Sequence, residues 1–230
     1  VYHDAKIYVN GELAGEHKNS GYTPFTVSIS EYIKEGKNII TVEVDNRFSP
    51  DMLPVNRSFD WANDGGIIRP VELWVTGKQY IKELTVTAKP VIVTNEERQD
   101  CGLGIFGIDA VIGQSEKMEN LQLEWQLAKG CDGAEKIVKE GMVQVGTTNI
   151  STENMVLDDI EYWHFDAPTL YTVKVSLKKD GELLDQKEKV VGFRDFHIQG
   201  RRFFLNGEPV RVCGTEWMPG SDPVYGAAET

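Results

Sequence analysis

An all-β fold is predicted by three features of the sequence. Apolar and polar residues alternate in short segments, as at residues 5–9, and such alternation is typical of strands with one buried face. Turn-forming Gly, Asn and Asp residues separate these segments. The dipeptide Asn10-Gly11 stands between two of them and is the strongest short signal for a β-hairpin.

Length and charge limit the classes of function. A length of 230 residues allows one large or two ordinary domains, each with its own core. No apolar run approaches the ~20 residues of a membrane helix, so we expect a soluble protein, whether cytoplasmic, periplasmic or secreted. The sequence has 36 acidic and 24 basic residues, and the net charge of −12 repels nucleic acid and anionic membranes. A neutral ligand suits this surface better.

The cysteines and the two ends of the sequence carry further information. Cys101, Cys131 and Cys213 are an odd, widely spaced set without a C-x-x-C motif. They do not imply a disulfide framework, although the sequence is compatible with one disulfide bond. The sequence begins at Val1 inside a predicted strand and ends without a closing element. We therefore expect it to be part of a longer protein.

Residues 1–77 are predicted to form a β-sheet domain. The predicted strands cover residues 5–9, 12–17, 26–29, 38–44 and 71–76. Some of their edges have no returning partner, and unpaired edges invite association. The sequence therefore predicts self-association through these edges.

The segment 59–74, FDWANDGGIIRPVELW, carries the most specific pattern. Asp60 and Trp61 precede an Asn-Asp-Gly-Gly turn, where glycine permits a tight reversal because it reaches positive φ without steric cost. The predicted strand 71–76 follows closely. Asp60 and Trp61 are thus placed on a loop held against a sheet, where binding residues are disproportionately found.

This pattern resembles the end of the sugar-binding domain of glycoside hydrolase family 2, which includes β-galactosidases, β-glucuronidases and β-mannosidases. Val-Asn-Gly at residues 9–11 and Gly-Tyr-Thr-Pro-Phe at residues 21–25 are similar to the second half of the jelly roll in that family. The resemblance implies that residues 1–77 are the C-terminal part of a sugar-binding jelly roll.

Residues 78–195 are predicted to form an immunoglobulin-like β-sandwich. About seven short strands over about 100 residues are typical of that fold. The alternating segments are 81–87, 105–112, 121–127, 137–145, 155–157, 170–177 and 183–191. Trp125 is predicted to lie in the core. The stretches 163–171 and 192–194 resemble the immunoglobulin-like domain of the same family and its exit.

Residues 196–230 are predicted to form a hairpin that leads into another domain. Predicted strands 196–198 and 202–205 flank a Gly200-Arg201 turn, and 210–213 is a short apolar strand. Leu-Asn-Gly-x-Pro at residues 205–209 resembles the lead-in to strand one of the (β/α)8 catalytic barrel in the family. Barrel active sites lie at the carboxyl ends of strands, so the resemblance implies that Glu216 and Trp217 contact substrate.

Asp60 is the leading candidate for ligand contact. A carboxylate accepts hydrogen bonds from two sugar hydroxyls, and Trp61 offers a flat apolar face on which a pyranose can stack. The alternative is that Asp60 caps the following turn. The resemblance places Asp60 at the sugar-contacting aspartate of the family. Arg69 and Arg194 are expected to be structural, the first anchoring the turn and the second tethering domains.

No metal or cofactor site is expected. The run from Asp60 to Gly65 departs from the spacing of a calcium loop and lacks the bidentate Glu. Residues 102–107 match G-x-G-x-x-G, but an alternating strand follows rather than a helix, which favours a glycine-rich strand entry over a dinucleotide site. The four histidines are scattered without metal spacing.

The resemblance implies a fragment of a retaining β-glycosidase that acts on a β-glycoside of undetermined sugar. In the family the two catalytic glutamates lie on later barrel strands, so the fragment alone is expected to be inactive. The alternative function is a non-catalytic β-sandwich module that binds carbohydrate or protein. A purely structural spacer is the third interpretation.

Overall fold

The computed structural model describes residues 1–57, 63, 65–94, 96–114, 119–131 and 136–215. These residues contain fourteen strands and no helix, which confirms the all-β prediction. No helix long and apolar enough to cross a membrane occurs among them. The chain divides into two compact units, of which the first contains Val1–Leu73 and the second Trp74–Gly214.

The first unit is built on a three-stranded antiparallel sheet of order β2-β1-β3. Its strands are β1 (Asp4–Val9), β2 (Glu12–His17) and β3 (Ile40–Asp45). Asn10 and Gly11 join β1 to β2 with φ angles of 52° and 90°. Positive φ at both central residues defines the type I′ hairpin turn that Asn-Gly favours. The predicted hairpin is therefore confirmed.

Two predicted strands of this unit do not form. Residues 26–29 and 71–76 have no assigned strand, although the second segment alternates in sequence. Val71, Leu73 and Val75 are 76%, 70% and 88% exposed, so the alternation does not produce a buried face. A segment becomes a strand only when a ladder of backbone hydrogen bonds pairs it with a neighbour. Alternation alone was therefore insufficient evidence for these two strands.

The second unit contains a β-sandwich of two antiparallel sheets. One sheet has the order β11-β10-β6-β7, and the other has the order β4-β5-β8 with β9 also paired to β5. The strands are β4 (Gln79–Pro90), β5 (Cys101–Gln114), β6 (Leu121–Lys129), β7 (Lys136–Val145), β8 (Asn149–Ser151), β9 (Met155–Glu161), β10 (Tyr171–Lys179) and β11 (Glu182–Val191). The seven predicted segments lie in strands apart from Leu170, which precedes β10, and among the described residues of this unit the three-residue β8 was not predicted.

The sandwich core forms from inward-facing residues of both sheets. On β6 and β10 every second side chain is buried, which is the period of two expected for a strand with one apolar face. Trp125 is 6% exposed and lies 5.4 Å from the Phe106 ring, measured between centroids. The prediction that Trp125 belongs to the core is confirmed.

A small sheet of order β12-β13-β14 completes the second unit. Its strands are β12 (Phe196–Gln199), β13 (Arg202–Leu205) and β14 (Glu208–Val210). The hairpin prediction is confirmed, but the last strand is 208–210 and not 210–213. The Asn206-Gly207 turn has φ angles of 49° and 86° and lets the chain reverse immediately after Leu205, so the next strand begins earlier than predicted.

Asn206 fastens this small sheet to the sandwich. The residue is fully buried, and its side-chain nitrogen donates to the Trp163 carbonyl at 2.9 Å. Its side-chain oxygen accepts from the Asp195 amide at 2.9 Å. At Gly207 an added Cβ would lie 2.5 Å from the Thr94 carbonyl oxygen, so only glycine fits there. The turn therefore packs as part of the interior.

Candidate functional site

The candidate site is the loop that follows β3, and its described part is held by Tyr2. The backbones of Tyr2 and Gly66 exchange two hydrogen bonds, of 2.9 and 3.0 Å. The Tyr2 side chain is buried with Met52 and Ile68 in a small apolar cluster. Gly66 has a φ of 96°, in the left-handed region that glycine adopts without strain. This bridge fixes the end of the predicted glycine turn.

A reciprocal pair of asparagines holds the same loop from the other side. Asn46, the residue after β3, donates its side-chain N–H to the Asn63 carbonyl at 2.9 Å. Asn63 in turn donates its side-chain N–H to the Asn46 carbonyl at 2.7 Å. A Cβ added to Gly65 would lie 2.7 Å from Asn46 Nδ2, so the amide packs directly over this glycine. The described residues 63, 65 and 66 are therefore fixed to β3 and to Tyr2.

The four predicted substrate-binding residues lie outside the described part of the chain. They are Asp60, Trp61, Glu216 and Trp217. Their roles stay predictions from the sequence. The structure describes Asn63, which follows Asp60 by three residues in the sequence.

Arg69 and Arg194, which are predicted to be structural, each make a contact within their own unit. Arg69 Nη1 donates to the carbonyl of Ile68 at 2.8 Å. The Arg194 guanidinium lies 4.9 Å from the centroid of the Trp163 ring, which is a cation–π contact. Arg69 thus lies on the segment that leaves the glycine turn. The proposed anchoring and tethering roles stay predictions.

An ionic cluster surrounds His164 in the second unit. The imidazole is 5% exposed, its Nδ1 lies 2.6 Å from Asp166 Oδ1, and its Nε2 lies 3.3 Å from Glu208 Oε2. Arg98 contacts Asp166 at 2.8 Å and Asp100 at 2.5 Å. Because Glu208 lies on β14, the cluster links the small sheet to the loop before β10.

The charge state of Asp166 determines the proton position on His164. Hydrogen bonds from Arg98, and then from His164, lower the pKa of Asp166 from 3.8 to about 2. Asp166 is therefore ionised at neutral pH and can only accept, so His164 Nδ1 carries a proton. The buried atoms His164 Nε2 and Glu208 Oε2 have no hydrogen-bond partner among the described residues.

The G-x-G-x-x-G motif lies within β5, which begins at Cys101, so the motif is part of the strand and not its entry as predicted. An added Cβ at Gly104 would lie 2.8 Å from Phe193 and 2.9 Å from Ile160, and the glycine thus permits close core packing. Among the residues that the structure describes, no group of three or more His, Cys, Asp or Glu side chains is placed to hold a metal ion.

Sequence reasoning missed Asn46 and the His164 cluster. Asn46 is one polar residue after a strand, and nothing near it in the sequence distinguishes it from a surface asparagine. Its partner Asn63 is 17 residues away. The members of the His164 cluster are separated by up to 110 residues, between Arg98 and Glu208. Only the folded chain brings such residues together.

Comparison with protein families assigns the class. The model for the sugar-binding domain of glycosyl hydrolases family 2 matches residues 1–77, and the model described as glycosyl hydrolases family 2 matches residues 110–194. Together these models match more than half of the chain, which therefore belongs to glycosyl hydrolase family 2. The resemblance seen in the sequence is confirmed.

Individual relatives are glycosidases by name. The chain is 34% identical to a putative β-glucuronidase of Formosa agariphila, over 92% of this chain and 24% of that protein. It is 34% identical to a β-galactosidase of Thermoanaerobacter pseudethanolicus, over 91% of this chain and 27% of that protein. The chain thus spans about a quarter of the length of these curated relatives.

Solved structures agree with the fold. The crystal structure of a putative β-galactosidase from Bacteroides fragilis matches with a TM-score of 0.75 and 28% identity. The match covers 90% of this chain and 31% of that one. The sugar-binding domain and the β-sandwich described above are therefore family 2 domains.

Proposed function

We propose that the chain is the sugar-binding and immunoglobulin-like part of a retaining β-glycosidase that hydrolyses O-glycosyl bonds. The observation that carries this proposal is the match of residues 1–77 to the family 2 sugar-binding domain. The curated relatives, named as β-glucuronidases and β-galactosidases, support the same class of reaction. The substrate class is a β-glycoside.

The proposed domain organisation has three parts. Residues 1–77 form the C-terminal part of the sugar-binding jelly roll, 78–195 form the immunoglobulin-like sandwich, and 196–230 lead into the first strand of a catalytic barrel. The division of the chain between Leu73 and Trp74 supports the first boundary. In this organisation the small sheet β12-β13-β14 is the connection to the barrel.

In the proposed mechanism Asp60 accepts hydrogen bonds from hydroxyls of the non-reducing sugar, and Trp61 stacks on its apolar face. Glu216 and Trp217 contact the same substrate from the end of the first barrel strand. Retention of configuration requires two carboxyl groups about 5–5.5 Å apart across the scissile bond. We assign that pair to barrel strands beyond these 230 residues, so the chain by itself is inactive.

The anchored loop supports the proposed role of Asp60. A binding residue contributes most when its loop is already in the bound conformation, because less conformational freedom is lost on binding. The hydrogen bonds of Asn63 and Gly66 restrict the loop on the C-terminal side of Asp60. Such pre-organisation suits a residue that positions substrate.

The proposal is tested with a panel of nitrophenyl β-glycosides, including the β-glucuronide and the β-galactoside. The 230-residue chain and the full-length polypeptide that contains it are assayed side by side. We expect hydrolysis by the full-length protein alone. If neither protein cleaves any member of the panel, the chain is part of a non-catalytic module that binds carbohydrate or protein.

We also propose that the isolated chain self-associates through unpaired sheet edges. The exposed apolar residues Ile39 and Ile40, at 58% and 54%, lie at the start of the edge strand β3 and support this proposal. Light scattering at high protein concentration should report a mass above that of one chain. A monomeric mass at all concentrations would contradict it.

A further inference from the structure

Asn46 occupies the junction between β3 and the loop that leads to the glycine turn. Its side-chain nitrogen is 2.9 Å from the carbonyl oxygen of Asn63, and the return hydrogen bond from Asn63 is 2.7 Å long. We propose that Asn46 is a positioning residue, which holds the loop of Asp60 in the conformation that binds sugar. This inference rests on the proposed function, in which Asp60 contacts the substrate.

The geometry around Asn46 restricts the loop rather than only closing a turn. The amide packs over Gly65, where an added Cβ would lie 2.7 Å from Asn46 Nδ2 and 2.8 Å from Asn46 Cγ. Gly66 is bonded at the same time to Tyr2 through two backbone hydrogen bonds. Two independent supports therefore meet within four residues, directly after the segment that contains Asp60.

The chemistry at position 46 requires an amide. Asn46 uses its N–H donor toward the Asn63 carbonyl, and a carboxylate of the same shape has no hydrogen to donate. An aspartate there would also place a negative charge against that carbonyl oxygen. Asn46→Asp and Asn46→Ala thus remove the same hydrogen bond, while the bond that Asn63 donates to the Asn46 backbone is kept.

Loss of this hydrogen bond should affect turnover more than stability. One neutral hydrogen bond contributes only modestly to stability, because unfolding replaces it with hydrogen bonds to water. A displacement of about 1 Å in a positioning group can lower a rate about 100-fold. We therefore expect Asn46→Ala to lower kcat/KM of the full-length enzyme by about tenfold or more, while the midpoint of thermal unfolding changes little.

Asn38 provides a matched control in the same unit. Its side chain also closes a loop, donating to the Lys34 carbonyl at 2.8 Å and accepting from the Lys34 amide at 2.9 Å. It is part of the loop that precedes β3 and is outside the proposed sugar site. Asn38→Ala should lower stability at least as much as Asn46→Ala, because the Asn38 side chain also bonds to Asn10 and to the Gly36 carbonyl. It should nevertheless change kcat/KM by less than about twofold, as expected for an independent site.

The decisive experiment is a double-mutant cycle of Asn46→Ala and Asp60→Ala in the full-length enzyme, with kcat and KM measured on the best nitrophenyl β-glycoside. If Asn46 acts through Asp60, the double variant loses no more activity than Asp60→Ala alone. Equal losses from Asn46→Ala in both backgrounds would overturn the proposal. Asn46→Asp replaces Asn46→Ala in the cycle if the alanine variant does not fold.

The cycle separates failure of the inference from failure of the proposed function. If Asp60→Ala lowers kcat/KM but Asn46→Ala behaves like Asn38→Ala, only the positioning role is wrong. If Asp60→Ala leaves kcat/KM unchanged, Asp60 is not a sugar contact and the positioning role of Asn46 is also wrong, whereas the assignment as a β-glycosidase is decided by the substrate panel.

Discussion

At the residue scale, Asp166 in the second unit is a carboxylate whose pKa is well below its ordinary value. Arg98 approaches it with a hydrogen bond of 2.8 Å, and the neighbouring His164 ring adds another of 2.6 Å. Both donors stabilise the ionised form, which is why the pKa of Asp166 falls to about 2. Asp166 is largely exposed, so solvent screening limits the energy of this contact. The lowered pKa nevertheless makes the free energy of unfolding depend on pH below the ordinary Asp value of 3.8.

Acid unfolding should report this contact. The pKa of Asp166 is lower in the folded state, so its stabilisation is present above its ordinary value of 3.8 and is lost as the pH falls toward about 2. We expect Asp166→Asn to reduce the loss of unfolding free energy between about pH 4 and pH 2. Chemical denaturation at a series of pH values measures this slope.

The partner of Asp166 supplies the control for this measurement. Arg98→Met removes the first cause of the shift and should reduce the acid slope by less than Asp166→Asn does, because the hydrogen bond between His164 and Asp166 is kept. The double variant of Asp166 and Arg98 should then show a slope close to that of Asp166→Asn alone, because Asp166→Asn already removes the titrating carboxylate. An unchanged slope in Asp166→Asn would contradict this account.

At the element scale, the sandwich depends on close approach between strands and aromatic rings. Gly141 on β7 faces the indole of Trp125 on β6, and an added Cβ would collide with that ring. Trp125 is buried against Phe106, so the ring has little room to move. Glycine at position 141 is therefore required by packing and not by backbone conformation.

Gly141→Ala should destabilise the protein by about 1–3 kcal/mol, the usual range for an overpacked core. Gly146 is the matched control, because an added Cβ there meets no atom within 4 Å. Gly146→Ala should leave the midpoint of thermal unfolding nearly unchanged. Equal midpoints for the two variants would show that the Trp125 ring adapts and that the packing argument is wrong.

The sequence predicted the elements whose signals are local. The Asn10-Gly11 turn and the alternation in β6 and β10 depend on neighbouring residues, and all were confirmed. The strands predicted at 26–29 and 71–76 were wrong because strand formation also needs a paired neighbour, which alternation does not reveal. β8 was missed because three residues are too few to display alternation.

The candidate site was predictable only in part, because some of its contacts join residues that are distant in sequence. The Asn-Asp-Gly-Gly sequence at residues 63–66 is a local signal for a turn, and Gly66 has the positive φ that glycine permits. The hydrogen bonds that hold it come from Asn46 and Tyr2, which are distant in sequence. Asn206 lies in the Leu-Asn-Gly-x-Pro motif that the sequence displays, but its hydrogen bonds to Trp163 and Asp195 appear only in the folded chain. Hydrogen-bond partners that are distant in sequence become apparent only in the folded chain.

At the scale of the whole molecule, the chain combines a family 2 sugar-binding domain with a β-sandwich. The sandwich has a continuous core from both sheets, whereas the buried residues of the 46–69 loop region form the small cluster of Tyr2, Met52 and Ile68. We infer that the sandwich supplies most of the stability and that the first unit supplies the binding loop. A change in that loop should therefore affect catalysis of the full-length enzyme more than its folding.

Asp60→Ala in the full-length enzyme tests the central claim most directly. We expect kcat/KM for the best β-glycoside to fall by about tenfold or more, because the sugar loses a contact that positions it for cleavage. The midpoint of thermal unfolding, measured in parallel, should stay close to that of the unmodified enzyme. An unchanged kcat/KM in a folded Asp60→Ala enzyme would contradict the claim that this loop binds the sugar.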